Sequence, residues 1–274
     1  MFMRSILLLA MFWWSSLLQA QVQFAPSGLS LAEYEAVDNC ALKVTYALRI
    51  VPDPRQKDYA YEDIQVLEVG TEVVKSYSYL LFQQDSTSTA LVAKGAESVP
   101  QLQKAVLPMD VYRYAKKQQV EVIYRTILSG PVYRYVEPME QMTWTIQPDE
   151  KSILGYMCRK AVTTFRGRTY TAWFTMDIPA PYGPYKFGGL PGLILSICDA
   201  DEEYAWNCIG IKKGETSPIK KYKWEYTDIS RKKLASVVER MYADPVSFIA
   251  VSMGATVTNQ TGKSLSMPYN PLER

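Results

Sequence analysis

The sequence predicts a mainly β protein: a large, curved, antiparallel sheet with a helical cover near the C-terminus. Three observations carry this. Apolar and polar residues alternate with period two along many short stretches, turn residues separate those stretches, and helical spacing is clear only beyond residue 230. The chain's 20 tyrosines and six tryptophans also suit pleated, half-buried surfaces.

The elements follow in order. Leu42, Val44, Tyr46, Leu48 and Ile50 alternate with Lys43, Thr45, Ala47 and Arg49, which predicts a strand over 41–51. Further strands read at 63–69 and 73–83. The stretch 86–110 reads as a loop with a short helix after Pro100. Ser129-Gly130-Pro131 separates strands at 119–127 and 131–136. Met142, Trp144 and Ile146 alternate with two threonines, predicting a strand over 142–146. Arg166-Gly167 joins 157–165 to 168–175, and the run Asp199 to Glu203 joins 192–198 to 204–211. Tyr222, Trp224 and Tyr226 alternate with Lys221, Lys223 and Glu225 in a last strand. Short turns between successive strands imply antiparallel neighbours, with one face packed and the other partly wet.

Ser230 is suited to cap a helix in which Leu234, Val237, Val238 and Met241 share a face. Asp244 before Pro245 opens a second short helix through Phe248 and Ile249. Residues 254–274 have weak periodicity and read as a loose tail. No repeat or low-complexity linker divides residues 21–274, which are read as one domain.

The first 20 residues have the three parts of a secretory signal: Arg4, an apolar run from Ile6 to Trp14, and small and polar residues up to Ala20. That run is shorter than the roughly 20 residues of a spanning helix. The expected mature chain begins at Gln21 and carries no second spanning segment. No cysteine follows the cut, so a lipoprotein is not expected. The protein is placed in the periplasm or outside the cell.

The 30 basic and 28 acidic residues nearly cancel, which argues against nucleic acid or an anionic membrane as partner. Four cysteines, Cys40, Cys158, Cys198 and Cys208, allow three disulfide connectivities in an oxidising compartment, or remain small buried apolar residues. The chain has no histidine. This excludes Ser-His-Asp and Cys-His catalysis and histidine metal ligands. No cofactor motif is present, and no metal is expected. The run DADEE at 199–203 lacks the glycine and final glutamate of a calcium loop and reads as a solvated turn. Lysines 212, 213, 220, 221 and 223 read as a charged edge that discourages sheet aggregation.

The most distinctive segment is WFTMDIPAPYGPYKFGGLPGLILSIC, residues 173–198. Prolines stiffen it at four positions between 179 and 191, while Gly183, Gly188, Gly189 and Gly192 permit sharp bends. Trp173, Tyr182, Tyr185, Lys186 and Phe187 are the ligand-binding candidates on this loop. The other reading has the loop fold back and plug one end of the sheet. Gly189 and Gly192, flanking Leu190-Pro191 at a strand entry, are expected at positive φ or against a neighbouring backbone.

The string Gly189-Leu190-Pro191-Gly192-Leu193-Ile194 resembles the signature of the GLPGLI family of exported bacterial proteins. Supporting matches are the tryptophan strand at Met142–Ile146, GYMCRKA at 155–161, FRGR at 165–168, AWFT at 172–175 and the tail YNPLER at 269–274. DIQVLEVG at 63–70 and the following Lys75-Ser76-Tyr77-Ser78 are also similar. The resemblance covers most of the mature chain. It implies no established activity, cofactor or catalytic residue, so no residue role is carried over.

A curved sheet under helices is similar to the lipoprotein-carrier (LolA-like) fold, an incomplete barrel closed by helices, at the level of fold analogy. The leading functional expectation is therefore a non-enzymatic binding or carrier protein of the cell envelope, taking an apolar or peptide ligand. The alternative is a structural or protein-interaction module with a filled core, docking an envelope protein. A third reading is a carboxylate hydrolase using Asp177, which lacks a paired carboxylate in the sequence pattern.

Overall fold

The computed structural model describes residues 25–252, 254 and 266–274. The leader expected at 1–20 and the mature start at Gln21 lie outside them. In chain order the strands are β1 (Tyr34–Asn39), β2 (Leu42–Ile50), β3 (Tyr61–Val69) and β4 (Val73–Ser78), then helix α1 (Tyr79–Ala93). After β5 (Met109–Tyr114), β6 (Gln119–Arg125) and β7 (Val132–Pro138) come β8 (Thr145–Ile153), β9 (Tyr156–Phe165) and β10 (Arg168–Thr175). The chain continues through β11 (Leu193–Asp199), β12 (Tyr204–Lys213), β13 (Pro218–Tyr222) and β14 (Thr227–Asp228), then α2 (Arg231–Ala243) and α3 (Pro245–Ser252).

Twelve strands form one open sheet in the order β14-β7-β6-β5-β4-β3-β2-β12-β11-β10-β9-β8. Two meanders, β2 to β7 and β8 to β12, meet where β12 pairs antiparallel with β2. The short β14 adds in parallel to β7, and β1 pairs with β13 in a separate ribbon. Tight hairpins set the register: Leu154-Gly155 and Arg166-Gly167 all have positive φ, as a two-residue type I′ turn requires.

Connectivity forces the sheet to curl. Strands β7 and β8 are consecutive in the chain, yet ten strand spacings separate them in the sheet. Laid flat, that is about 48 Å. The linker 139–144 reaches only about 25 Å when extended. The two edges must therefore bend toward each other, giving an incomplete barrel with a concave inner face. Val44, Tyr46, Leu48 and Ile50 of β2 point into it, fully buried, with half-buried residues between them. The core continues through Leu67, Val111, Val122, Ala172, Phe174, Leu195 and Trp206.

The expected architecture is present, with local differences. The strand expected over 73–83 stops at Ser78, whose side chain accepts from Leu81 N and caps α1. Strand β8 starts at Thr145, so Met142 and Trp144 lie in the linker. Strands β1 and β5 were not signalled. Helix α2 buries Leu234, Val238 and Met241, as its spacing predicts. No helix of the described residues is long and apolar enough to cross a membrane.

All four cysteines are free, the second of the two readings the sequence left open. Cys158 and Cys208 belong to the main core and Cys40 to a second cluster with Tyr112 and Ile219, while Cys198 is half-buried. Burial pushes each thiol up to about 11, so they behave as small apolar groups.

The loose-tail reading of 254–274 does not hold for its described end. Asn270 and Leu272 are buried. The Asn270 amide donates to Val51 O and to Glu203 Oε2, both at 2.9 Å. Arg168 donates to the Asn270 side chain at 2.5 Å and to Pro271 O at 2.7 Å. The same guanidinium holds Asp199 and Glu203 at 2.6 Å each. Those two carboxylates are therefore buried, not part of a solvated turn as expected. Asp201 lies near them, and Arg274 reaches both Asp201 and Glu203, so two guanidiniums of the chain, Arg168 and Arg274, already pair with the three carboxylates.

Candidate functional site

Between β10 and β11 the chain dips into the concave face. Gly183 N donates to Phe187 O at 2.9 Å, and Ile194 N donates to Tyr182 O at 3.0 Å, folding the loop onto itself. Both glycine expectations are met. Gly189 has φ +89°, and a Cβ on Gly192 would lie 2.0 Å from Thr175 O. From the opposite meander, buried Arg113 of β5 donates to Gly183 O at 2.8 Å and to Phe187 O. Trp144 Nε1 donates to Gly188 O at 2.9 Å. Among the described residues no carboxylate contacts Arg113, and burial pulls its guanidinium down to about 10. Arg113 thus clamps the loop through carbonyl dipoles, a role the sequence did not signal.

Phe187 is fully buried at the centre of an aromatic cluster, with ring centroids 4.7 Å from Tyr170, 5.7 Å from Trp206, 5.9 Å from Tyr185 and 6.0 Å from Phe165. It fills the sheet interior and touches no open space. Lys186 is also buried. Its ammonium donates to Tyr135 Oη at 3.0 Å, Glu137 at 2.6 Å and Glu273 at 2.5 Å. Burial alone would lower its pKa, but Tyr135, Glu273 and Glu137 outweigh that and raise it. Tyr182 is half-buried beside Arg113, whose guanidinium stands 5.1 Å from its ring. Trp173 alternates away from buried Ala172 and Phe174, and Lys151 Nζ lies 4.4 Å above its ring. Four of the five candidates therefore do not line the cavity described next: the strand's pleat turns Trp173 away, and the loop uses the others to pack and brace.

The exception is Tyr185. Its φ is +54°, a strained value for a bulky residue. Its N–H donates to Ser76 Oγ at 3.1 Å and its hydroxyl donates to Glu273 at 2.5 Å. Its ring forms part of the wall of a cavity of about 520 Å³. Ile50, Tyr61, Met109 and Tyr124 of the sheet supply the floor. Leu234, Val238 and Tyr242 of α2 form one wall, and Met267, Tyr269 and Leu272 of the tail another. Leu107 and Pro108, just before β5, close the side.

Tyrosine dominates the lining. Eight tyrosines contribute: Tyr59, Tyr61, Tyr124, Tyr135, Tyr185, Tyr204, Tyr242 and Tyr269. Burial raises the pKa of Tyr61, Tyr124 and Tyr185 well above the ordinary value, and pushes Tyr135 and Tyr269 up to about 12. These five hydroxyls therefore stay protonated at neutral pH. The sequence pointed to tyrosine-rich half-buried surfaces, but not to this gathering from the sheet, α2 and the tail. Asp177, the hydrolase candidate, is exposed and lies outside the lining. Among the described residues Glu273 is the one carboxylate that lines the cavity.

No curated protein matches the chain in sequence. Among solved structures, PNGF-II in the P21 space group is similar at 13% identity and a TM-score of 0.52, over 75% of this chain and 34% of that one. PNGF-II in the C2 space group aligns at 14% identity and a TM-score of 0.49, over 73% and 33%. The chain thus spans about a third of the length of these solved relatives. The first likeness agrees with the mostly β, open-sheet fold. The model of the family "N-glycanase peptide, N-terminal domain" matches residues 73–235, more than half of the chain, a stretch that includes the loop, its Arg113 clamp and the start of α2. The chain belongs to that family.

Proposed function

We propose that this protein is an exported cell-envelope protein that binds an apolar or peptide ligand in the tyrosine-lined cavity without transforming it. The signal-like leader and the resemblance to the GLPGLI family support export to the periplasm or beyond. The observation that carries the binding reading is the cavity itself. Its volume of about 520 Å³ falls within the range of small-molecule sites, and its walls combine apolar side chains with a few convergent polar groups. A single lining carboxylate, already engaged by Lys186 and Tyr185, argues against paired-carboxylate hydrolysis. The interaction-module reading draws support from the other half of the interior, where Phe187 and Leu190 leave no room.

The test uses full-length protein recovered from the envelope of the producing cell. Mass spectrometry of an organic extract is expected to yield an apolar compound or peptide in near-stoichiometric amount, and Ala235→Trp, which fills the cavity mouth from an exposed helix position, to yield much less. N-terminal sequencing of the same material is expected to begin at Gln21. Equal recovery from both proteins would overturn the cavity as the binding site, and a full-length membrane-bound chain would overturn the processing.

A further inference from the structure

The ligand class can be narrowed, on the reading that the cavity is a binding site. Among the described residues, Arg231 and Glu273 are the charged side chains that line it. They belong to one knot of ion pairs at its end. Arg231 Nη1 meets Glu273 at 3.2 Å and its Nε meets Glu137 at 3.3 Å. Lys186 holds Glu137 and Glu273 from behind, and Arg166 reaches Glu137 at 3.3 Å and Glu140 at 2.8 Å. Three cations thus face three anions, and each charge is met within the protein. The rest of the lining is aliphatic side chains, two methionines, prolines and tyrosines, with two neutral polar residues, Ser266 and Asn270. Asn270 is already engaged by Arg168, Val51 and Glu203.

A ligand charge buried here would lose its water and find no opposite charge to replace it. Removing a charge from water without a partner is far costlier than burying a neutral group. Neutral rings or chains lose nothing comparable and gain contact with the tyrosine faces. We infer that the cavity selects the uncharged body of its ligand, an aromatic ring system or acyl chain, and discriminates against a buried anion. The knot sets this selectivity: with Glu273 neutralised, Arg231 and Lys186 would present excess positive charge to the cavity's end.

Two dyes sharing one scaffold provide the test. N-phenyl-1-naphthylamine is neutral, and 1-anilinonaphthalene-8-sulfonate is the same molecule carrying a sulfonate. Fluorescence titration of the full chain is expected to show the neutral dye binding about tenfold more tightly or better. Ala235→Trp should abolish that binding. Glu273→Gln should tighten binding of the sulfonate dye at least about threefold while leaving the neutral dye nearly unchanged. Equal or tighter binding of the sulfonate dye by the unaltered protein would overturn the charge inference and leave the site standing. If neither dye binds, or Ala235→Trp changes nothing, the binding reading falls and the inference with it.

Discussion

The concave face of the sheet has two halves that received different treatment. Over β9 to β12 the 176–192 loop dives in, and Phe187, Leu190, Leu193 and Trp206 pack with essentially no exposure. Over β2, β3, β5 and β6 that loop contributes Tyr185 alone to the lining. Helix α2 and residues 266–273 stand off from the sheet, and the space between them stays open. The same curl builds both halves, and one is filled with aromatic rings from the chain's own loop. The difference teaches that this chain's proline-glycine segment is an internal plug. Its rigidity serves packing, and it contributes to the open half through Tyr185. Arg113 and Lys186, both buried cations, hold the plug in place from β5 and from the ion-pair knot.

Substitutions on either side break or sharpen this contrast. Phe187→Ala removes the centre of the filled half and should cost about 3–5 kcal/mol, whereas Leu234→Ala, beside space that is already open, should cost about 2 kcal/mol. Denaturant unfolding of both proteins gives the comparison. Asp63 offers a pH probe of the segment that closes the open half. Its carboxylate accepts from Leu107 N at 3.1 Å and from Ser78 Oγ and the Gln65 amide at 2.7 Å. Burial pushes it up to about 6, against those hydrogen bonds. A carboxyl raised from about 3.9 in the unfolded chain contributes stability that is full below about pH 4 and is lost as pH rises through 6. Asp63→Asn should therefore flatten the pH dependence of the melting temperature in that window, removing a difference of about 2–3 kcal/mol. A smaller effect is expected from Gly192→Ala, whose Cβ would meet the Thr175 backbone at 2.0 Å. It should lose about 1–3 kcal/mol by overpacking, while Gly210→Ala, with Thr45 at 3.9 Å as its nearest contact, should lose clearly less.

Alternation made much of the fold legible. The strand read at 41–51 is β2, and 168–175 is β10 to the residue, because each has one face on the core and one partly wet. Helix α1 was hidden because Gln84, Asp85 and Ser88 are among the residues it buries, so it packs without an apolar stripe. Strand β5 was hidden for a related reason: Asp110, Arg113 and both neighbours of Tyr112 are buried, which erases the period of two. The tail looked loose because its hold on the fold is polar, through Asn270 and Arg168, with little apolar pattern to read. Those two residues sit in the YNPLER and FRGR strings, so segments read separately along the chain are bonded to each other in the fold. The cavity was illegible for a different reason. Its floor, wall and rim come from the sheet, α2 and the last residues, and no local pattern encodes their meeting.

A matched pair of enlargements tests the contrast most directly. Leu190→Phe enlarges a residue of the filled half and Val238→Phe one that faces the open half. Thermal and denaturant unfolding, followed by titration with the neutral naphthylamine, should separate them. Leu190→Phe is expected to lose about 1–3 kcal/mol by overpacking and to keep its dye affinity. Val238→Phe, whose added ring can enter space that is already open, is expected to be clearly less destabilising than Leu190→Phe and to lose most of its dye binding. Equal destabilisation by both changes, with dye binding untouched by Val238→Phe, would contradict the account.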